Sequence, residues 1–328
     1  MTAVKPLGQV DSATTEADAI YFMRVVAIAL IVFGHAQRGL AETGMASGTY
    51  WSSIYPVVDY AIYEFHVPIF FLTSGLLLEQ RNGESLSRLL FRLRRLLLLY
   101  LIWNFINAVP AYVFSDLTNR NFGNAGLIDA FNPFHINGIM WFFVALAFAY
   151  VAHFLTFRRR VLRWIAILVA VVVLARDVDF AGAAYGTLWL LLGAEVARTF
   201  TDRDIDNRGL FMVAAAAVYA AATFCFYGLN VPYTLAIPAG AAAILFFYCA
   251  GRVNSLGPTI LFMGKNTLSI YVMHVIIVAG LRILLVRILH LDPSAGLIVV
   301  LTIGGIFAPL LLLLGLRYAG LSRLLLLE

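Results

Sequence analysis

Apolar residues in this chain come in long runs, separated by short stretches where arginine, glycine, asparagine and proline gather. A helix needs about 20 apolar residues to cross the hydrocarbon core of a bilayer. The pattern predicts ten such segments, at 20–38, 58–78, 94–114, 138–157, 161–176, 184–200, 209–227, 233–251, 264–287 and 295–318. The fifth and sixth are short, and tilted or half-length spans are expected there. The stretch 39–57, with Gly44, Gly48 and Pro56, reads as an interfacial loop. No internal repeat emerges. The fold class is therefore all-α: a polytopic transmembrane bundle of about ten spans.

Composition agrees with that reading. Of 328 residues, 62% are hydrophobic and only 12% charged, against about a quarter charged in a soluble domain. Residues 1–19 are polar, hold Asp11, Glu16 and Asp18, and lack the apolar core of a signal peptide. They predict a flexible cytoplasmic tail ahead of an uncleaved first span. Residues 20–318 then form the transmembrane domain and 319–328 a second cytoplasmic tail. The two cysteines, Cys225 and Cys249, lie inside apolar segments, as small core residues do, and suggest neither a disulfide framework nor a metal site.

A net charge of +5 would suggest nucleic acid in a soluble protein. Here it follows topology. With the N-terminus inside, all but six of the 23 Lys and Arg residues fall in inside connections, the exceptions being Arg24, Arg38, Arg120, Arg176, Arg282 and Arg287. That alternation obeys the positive-inside rule. It predicts cytoplasmic termini, an integral cytoplasmic (inner or plasma) membrane location, lipid as the surroundings, and no nucleic-acid partner. The longest outside connection, 115–137, is rich in Asn and aromatic residues. Amides and rings suit a carbohydrate; an ordinary interfacial aromatic belt has the same composition.

Ionisable groups inside a span are costly and mark functional sites by default. The first segment carries Arg24 and His35, eleven residues apart. Eleven steps of about 100° return to within roughly 20° of the starting face, with a rise of about 16.5 Å. The two side chains share a face and cannot touch. A histidine can take a proton from a hydroxyl and return it to a leaving group, while an arginine can hold a phosphate. A long donor with an anionic head and a reactive end would span both stations. A snorkelling Arg24 and a His35 satisfied by a neighbouring helix fit the same spacing, which alone does not separate the two readings.

Further polar residues interrupt later segments. Glu64 and His66 precede Pro68, and Ser74 and Gly75 offer a close approach to another helix or a ligand. Arg94 and Arg95 stand at the start of the third segment, where phosphate binding and simple topology are both served. Trp141 opens an aromatic group in the fourth. Glu195 is expected to pair with Arg198, and His153 and His290 to be interfacial. In the ninth segment Asn266, Ser269, Tyr271 and His274 form a polar stripe.

Taken in order, these segments resemble the acyltransferase 3 family of membrane acyltransferases, most closely its fucose 4-O-acetylase-like branch. The resemblance rests on Arg24-x10-His35, on Phe65, His66, Pro68, Phe70, Phe71, Ser74 and Gly75 in the second segment, and on G-K-N-T-L-S-I-Y-V-M-H from Gly264 to His274. It implies transfer of an acyl group, usually acetyl, from cytoplasmic acyl-CoA to a sugar hydroxyl of a cell-surface or exported glycan. It makes His35 the general base with Arg24 its motif partner. Arg94, Arg95 and Ser74 become donor-binding candidates, and Glu64, His66, Trp141, Asn266 and His274 substrate-site candidates. Acetyl-CoA is then a substrate, with no permanently bound cofactor and no metal. The rival class is a proton-coupled transporter or flippase of a lipid-linked sugar, which would show paired repeats or broken helices in matching positions.

Overall fold

The computed structural model of the chain describes residues 12–42, 50–80, 85–113, 138–176, 181–200, 207–252 and 256–327. They form helices α1 (Ser12–Glu42), α2 (Tyr50–Tyr63), α3 (His66–Glu79), α4 (Leu86–Val113), α5 (Trp141–Thr156) and α6 (Arg160–Ala175). These are followed by α7 (Ala181–Phe200), α8 (Arg208–Gly228), α9 (Ile237–Gly251), α10 (Pro258–Lys265), α11 (Thr267–Arg282) and α12 (Ala295–Tyr318). Only helices and closed barrels can satisfy backbone polar groups within lipid, and among the described residues the apolar runs are all helical.

Each of the ten predicted segments holds helix, but among the described residues seven helical stretches are long and apolar enough to cross a membrane. The count of ten is corrected on that point. Helices α6 and α9 have 16 and 15 residues, which at 1.5 Å per residue falls short of a core about 30 Å thick. Helix α7 carries Glu195 and Arg198 toward its end. The sugar-contact expectation for 115–137 falls on residues outside those described, as does 43–49 of the expected interfacial loop. The rest of that loop is helical, in α1 and α2.

The described parts of 1–19 and 319–328 both make contacts with the bundle. Helix α1 starts at Ser12, and its early turns are held by packing. Ala19 is fully buried, and a Cβ on Gly251 would lie 2.8 Å from the Ala19 Cα. The Gln80 amide also donates to Glu16 Oε1 at 2.8 Å. At the other terminus, the chain beyond α12 turns back onto α4. Trp103 Nε1 donates to the Leu325 carbonyl at 3.1 Å, Arg95 Nη2 reaches the Leu326 carbonyl at 3.5 Å, and Leu327 is buried.

Helix α1 packs against α3, α9, α10, α11 and α12, and α3 has its widest contact with α7. That contact is backbone on backbone. A Cβ on Gly75 would stand 2.0 Å from the Leu190 carbonyl oxygen, and one on Gly193 would stand 2.1 Å from that of Leu72. Small residues permit such approach between membrane helices, so the Gly75 of the sequence motif seats a neighbouring helix.

At one end of the bundle a buried charge cluster ties α3, α5, α6 and α7. Arg163 is 0% exposed. Its guanidinium donates to Glu195 Oε1 and to Glu79 Oε2, each at 3.0 Å. His153 Nε2 lies 3.1 Å from Glu79 Oε2, and Arg198 and Arg160 approach Glu79 and Glu195 at 3.5 and 3.4 Å. His153 is thus a buried partner of Glu79, where the sequence suggested an interfacial residue. Glu195 contacts Arg163 and Arg160 of α6. A buried cation between two carboxylates is costly to remove singly, because the acids remain without it. Replacing Arg163 by Leu is expected to destabilise the protein by about 3–5 kcal/mol, read as a fall in unfolding temperature of the detergent-solubilised protein. An unchanged temperature would deny the cluster that role.

Candidate functional site

The site begins with a broken helix. Pro68 has no N–H, so the Glu64 carbonyl loses the partner it would have in a continuous helix. Glu64 and Phe65 form a turn between α2 and α3, and Phe65 N reaches back to Ile62 at 3.4 Å. The turn also takes the carbonyls of Ala61 and Tyr63 out of regular helical pairing, and such carbonyls must find donors inside the bundle. Tyr219 of α8 donates to the Ala61 carbonyl at 2.8 Å, and Tyr185 of α7 to that of Tyr63 at 3.3 Å. His66 lies 2.6 Å through Nδ1 from the Ile62 carbonyl. Because a carbonyl only accepts, that contact puts the proton on Nδ1 and leaves His66 Nε2 as an acceptor.

Beside the break is a cavity of about 470 Å³, within the usual range for a small-molecule site. Arg24, Arg92 and Arg95 line it, as do His35 and His66. Arg24 and His35 face the same space from α1, a full three turns apart, as their shared helical face requires. Trp141, Phe142, Tyr150 and Tyr271 supply aromatic walls. The Tyr271 hydroxyl donates to the Ile139 carbonyl, which fixes the start of α5 and with it Trp141. No Asp or Glu side chain lines the cavity among the described residues. Its lining therefore carries guanidinium groups toward one end and imidazoles toward the other, with Tyr150 beside Arg92 and Tyr63 beside His66.

The family model described as an acyltransferase domain matches residues 18–314. The chain belongs to the acyltransferase 3 family. No curated protein and no solved structure matches it. The protein is therefore a multi-pass membrane acyltransferase, and the cavity is its candidate active site.

Within the acyltransferase, the predicted residues divide. Arg24, His35, His66, Ser74, Arg95 and Trp141 all reach the cavity. Arg24 Nε also approaches Thr73 Oγ1 at 3.4 Å, and the Ser74 hydroxyl donates to the Phe70 carbonyl at 2.7 Å. Arg94 is placed elsewhere. It is exposed on α4, because residues one apart on a helix point about 100° from each other. Arg92, three residues before Arg95, takes the inward position instead. Glu64 is buried against α8, where Thr223 donates to its Oε2 at 2.5 Å, and it does not line the cavity. Asn266 sits at the junction of α10 and α11, accepting from Arg317 at 2.7 Å. His274 is fully buried behind His35 and does not line the cavity.

Arg92, Tyr63 and Tyr150 are among the cavity residues that the sequence did not single out. The i, i+3 relation of Arg92 to Arg95 was the available signal. The tyrosine caps on the break carry their own prediction. Removing both hydroxyls, as Tyr185→Phe with Tyr219→Phe, takes these donors from two part-buried carbonyls, at about 1–3 kcal/mol each. The double variant is expected to melt several degrees below wild type, and a coincident melting curve would contradict the account of the break.

Proposed function

We propose that the protein transfers an acyl group, taken as acetyl, from cytoplasmic acyl-CoA to a sugar hydroxyl of a cell-surface or exported glycan. The observation that carries this reading is a cavity lined by Arg24, Arg92 and Arg95 toward one end and His35 and His66 toward the other. Guanidinium groups suit the phosphates of a nucleotide thioester. Aromatic walls formed by Trp141, Phe142 and Tyr150 suit a flexible apolar arm and the C–H face of a sugar. The Arg24-to-His35 rise of about 16.5 Å separates a charged head from a reacting end by the length of an extended arm.

In this mechanism the donor's phosphates lie among Arg92 and Arg95, and its thioester carbonyl lies near His35. His35 takes the proton from the acceptor hydroxyl as the oxygen attacks the carbonyl carbon. The new C–O bond forms, the tetrahedral intermediate collapses, and the C–S bond breaks. His35 then returns its proton to the departing thiolate, which balances the reaction and restores the base. His66, held by Ile62 with its Nε2 as an acceptor, is suited to orient the acceptor sugar by accepting from a second hydroxyl. Arg24 belongs to the anion end, too far along α1 to share the oxyanion with His35.

The test uses purified protein in lipid nanodiscs with radiolabelled acetyl-CoA and a panel of glycan acceptors. Label is expected to pass to an acceptor, and His35→Ala is expected to lower kcat by about 10²–10⁴-fold. A folded His35→Ala protein with full transfer would remove the base assignment. Arg95→Ala is expected to raise KM for acetyl-CoA at least tenfold with a smaller effect on kcat, because it contacts the donor's unreacting head. Equal KM in the two proteins would detach Arg95 from the donor.

A further inference from the structure

His274 is a buried histidine that the proposed mechanism leaves without a task. Its ring lies 5.2 Å, centroid to centroid, from that of His35, tilted by 55°. Its Nδ1 is 2.7 Å from the Tyr271 carbonyl and 3.1 Å from that of Ile270. Two acceptors on one nitrogen place the proton there. The other nitrogen, Nε2, is then a lone-pair acceptor, and it has no hydrogen-bond partner in a residue that is 0% exposed. A buried polar atom in that condition is costly, which asks what it is kept for.

We propose that His274 is a positioning residue for His35: its Nε2 accepts a hydrogen bond from the His35 ring when His35 becomes protonated during transfer. The inference rests on the reading of His35 as the general base. In the resting enzyme the two rings sit side by side. When the acceptor hydroxyl gives its proton to His35, the imidazole becomes a cation with a donor on both nitrogens. A modest rotation about the 5.2 Å contact brings one of those donors onto His274 Nε2. The proton stays on His35 and passes to the thiolate when the C–S bond breaks, so His274 is neutral at the start and end of the cycle. A carboxylate plays this orienting part in the Ser-His-Asp arrangement. A neutral imidazole with a fixed tautomer does it without burying an anion in the membrane.

The backbone explains why the acceptor is reliable. Both carbonyls that hold Nδ1 lie within four residues on the same helix, so the ring is clamped by its own turn. Neighbouring structure holds α11 in turn: Asn107 of α4 donates to the Val272 carbonyl at 3.3 Å, and Arg282 donates to the Gly39 carbonyl at the far end of α1. The helix that presents His274 is thereby tied to the helix that carries His35.

Three variants test this in the acetyl-CoA transfer assay with the full chain in nanodiscs. His274→Phe fills the space without an acceptor, with His274→Met as a second apolar variant should the Phe protein fail to fold. His274→Gln offers an amide oxygen at about the depth of Nε2. The apolar variant is expected to lose on the order of 10- to 100-fold in kcat, the worth of a buried hydrogen bond to a charged group, with KM for acetyl-CoA unchanged. His274→Gln should recover much of that loss. In a His35→Ala background, the apolar change should have no further effect. Wild-type kcat in a folded apolar variant, alongside an inactive His35→Ala, would overturn this inference and leave the base assignment standing. Equal loss in the Gln and apolar variants would also overturn it, since packing alone would then account for His274. Full transfer by His35→Ala would instead overturn the base assignment, and this inference with it.

Discussion

A carbonyl exposed in the membrane interior has no water to turn to, and that constraint organises the site of this acyltransferase. The α2–α3 break frees the carbonyls of Ala61, Ile62 and Tyr63 from regular helical pairing. Tyr219 and Tyr185 answer two of them and His66 answers the third. One requirement, backbone satisfaction, thus does two things at once. It anchors the break to α7 and α8, and it fixes the tautomer of a histidine that lines the cavity. On α11 the same logic holds His274, whose Nδ1 is claimed by Ile270 and Tyr271.

Charge is distributed to match. Three carboxylates serve structural partnerships away from the cavity: Glu79 and Glu195 with Arg163, and Glu64 through one oxygen with Thr223. The cavity receives arginines and histidines without an acid among its described lining. A cluster of paired charges stabilises the bundle where α3, α5, α6 and α7 meet, while the cavity keeps groups suited to an anionic donor and a proton transfer. The close α3–α7 contact at Gly75 and Gly193 joins these regions, since Ser74 faces the cavity one residue from that contact.

The helical membrane class and the shared face of Arg24 and His35 were legible in the sequence, because both depend on periodicity along one element. So were His66 and Ser74, through the second-segment motif. Residues that depend on rotation about a helix were harder. Arg94 and Arg95 are adjacent in sequence, yet only Arg95 points inward, and Arg92 joins it from the turn before. Partners across the bundle were out of reach altogether: nothing local in the sequence pairs Glu64 with Thr223, His153 with Glu79, or Asn266 with Arg317. Nor does anything local announce that Leu325 and Leu326 accept from Trp103 and Arg95 across the fold.

The central claim is that one cavity holds the donor, with its head among the arginines and its thioester beside His35. A cryo-EM structure of the protein in nanodiscs with a non-hydrolysable acetyl-CoA analogue tests it most directly. The account predicts phosphate density within hydrogen-bond reach of Arg92 and Arg95, and the thioester carbon close to the His35 ring. A donor bound outside this cavity, or one lying with its phosphates toward His35 and His66, would contradict it.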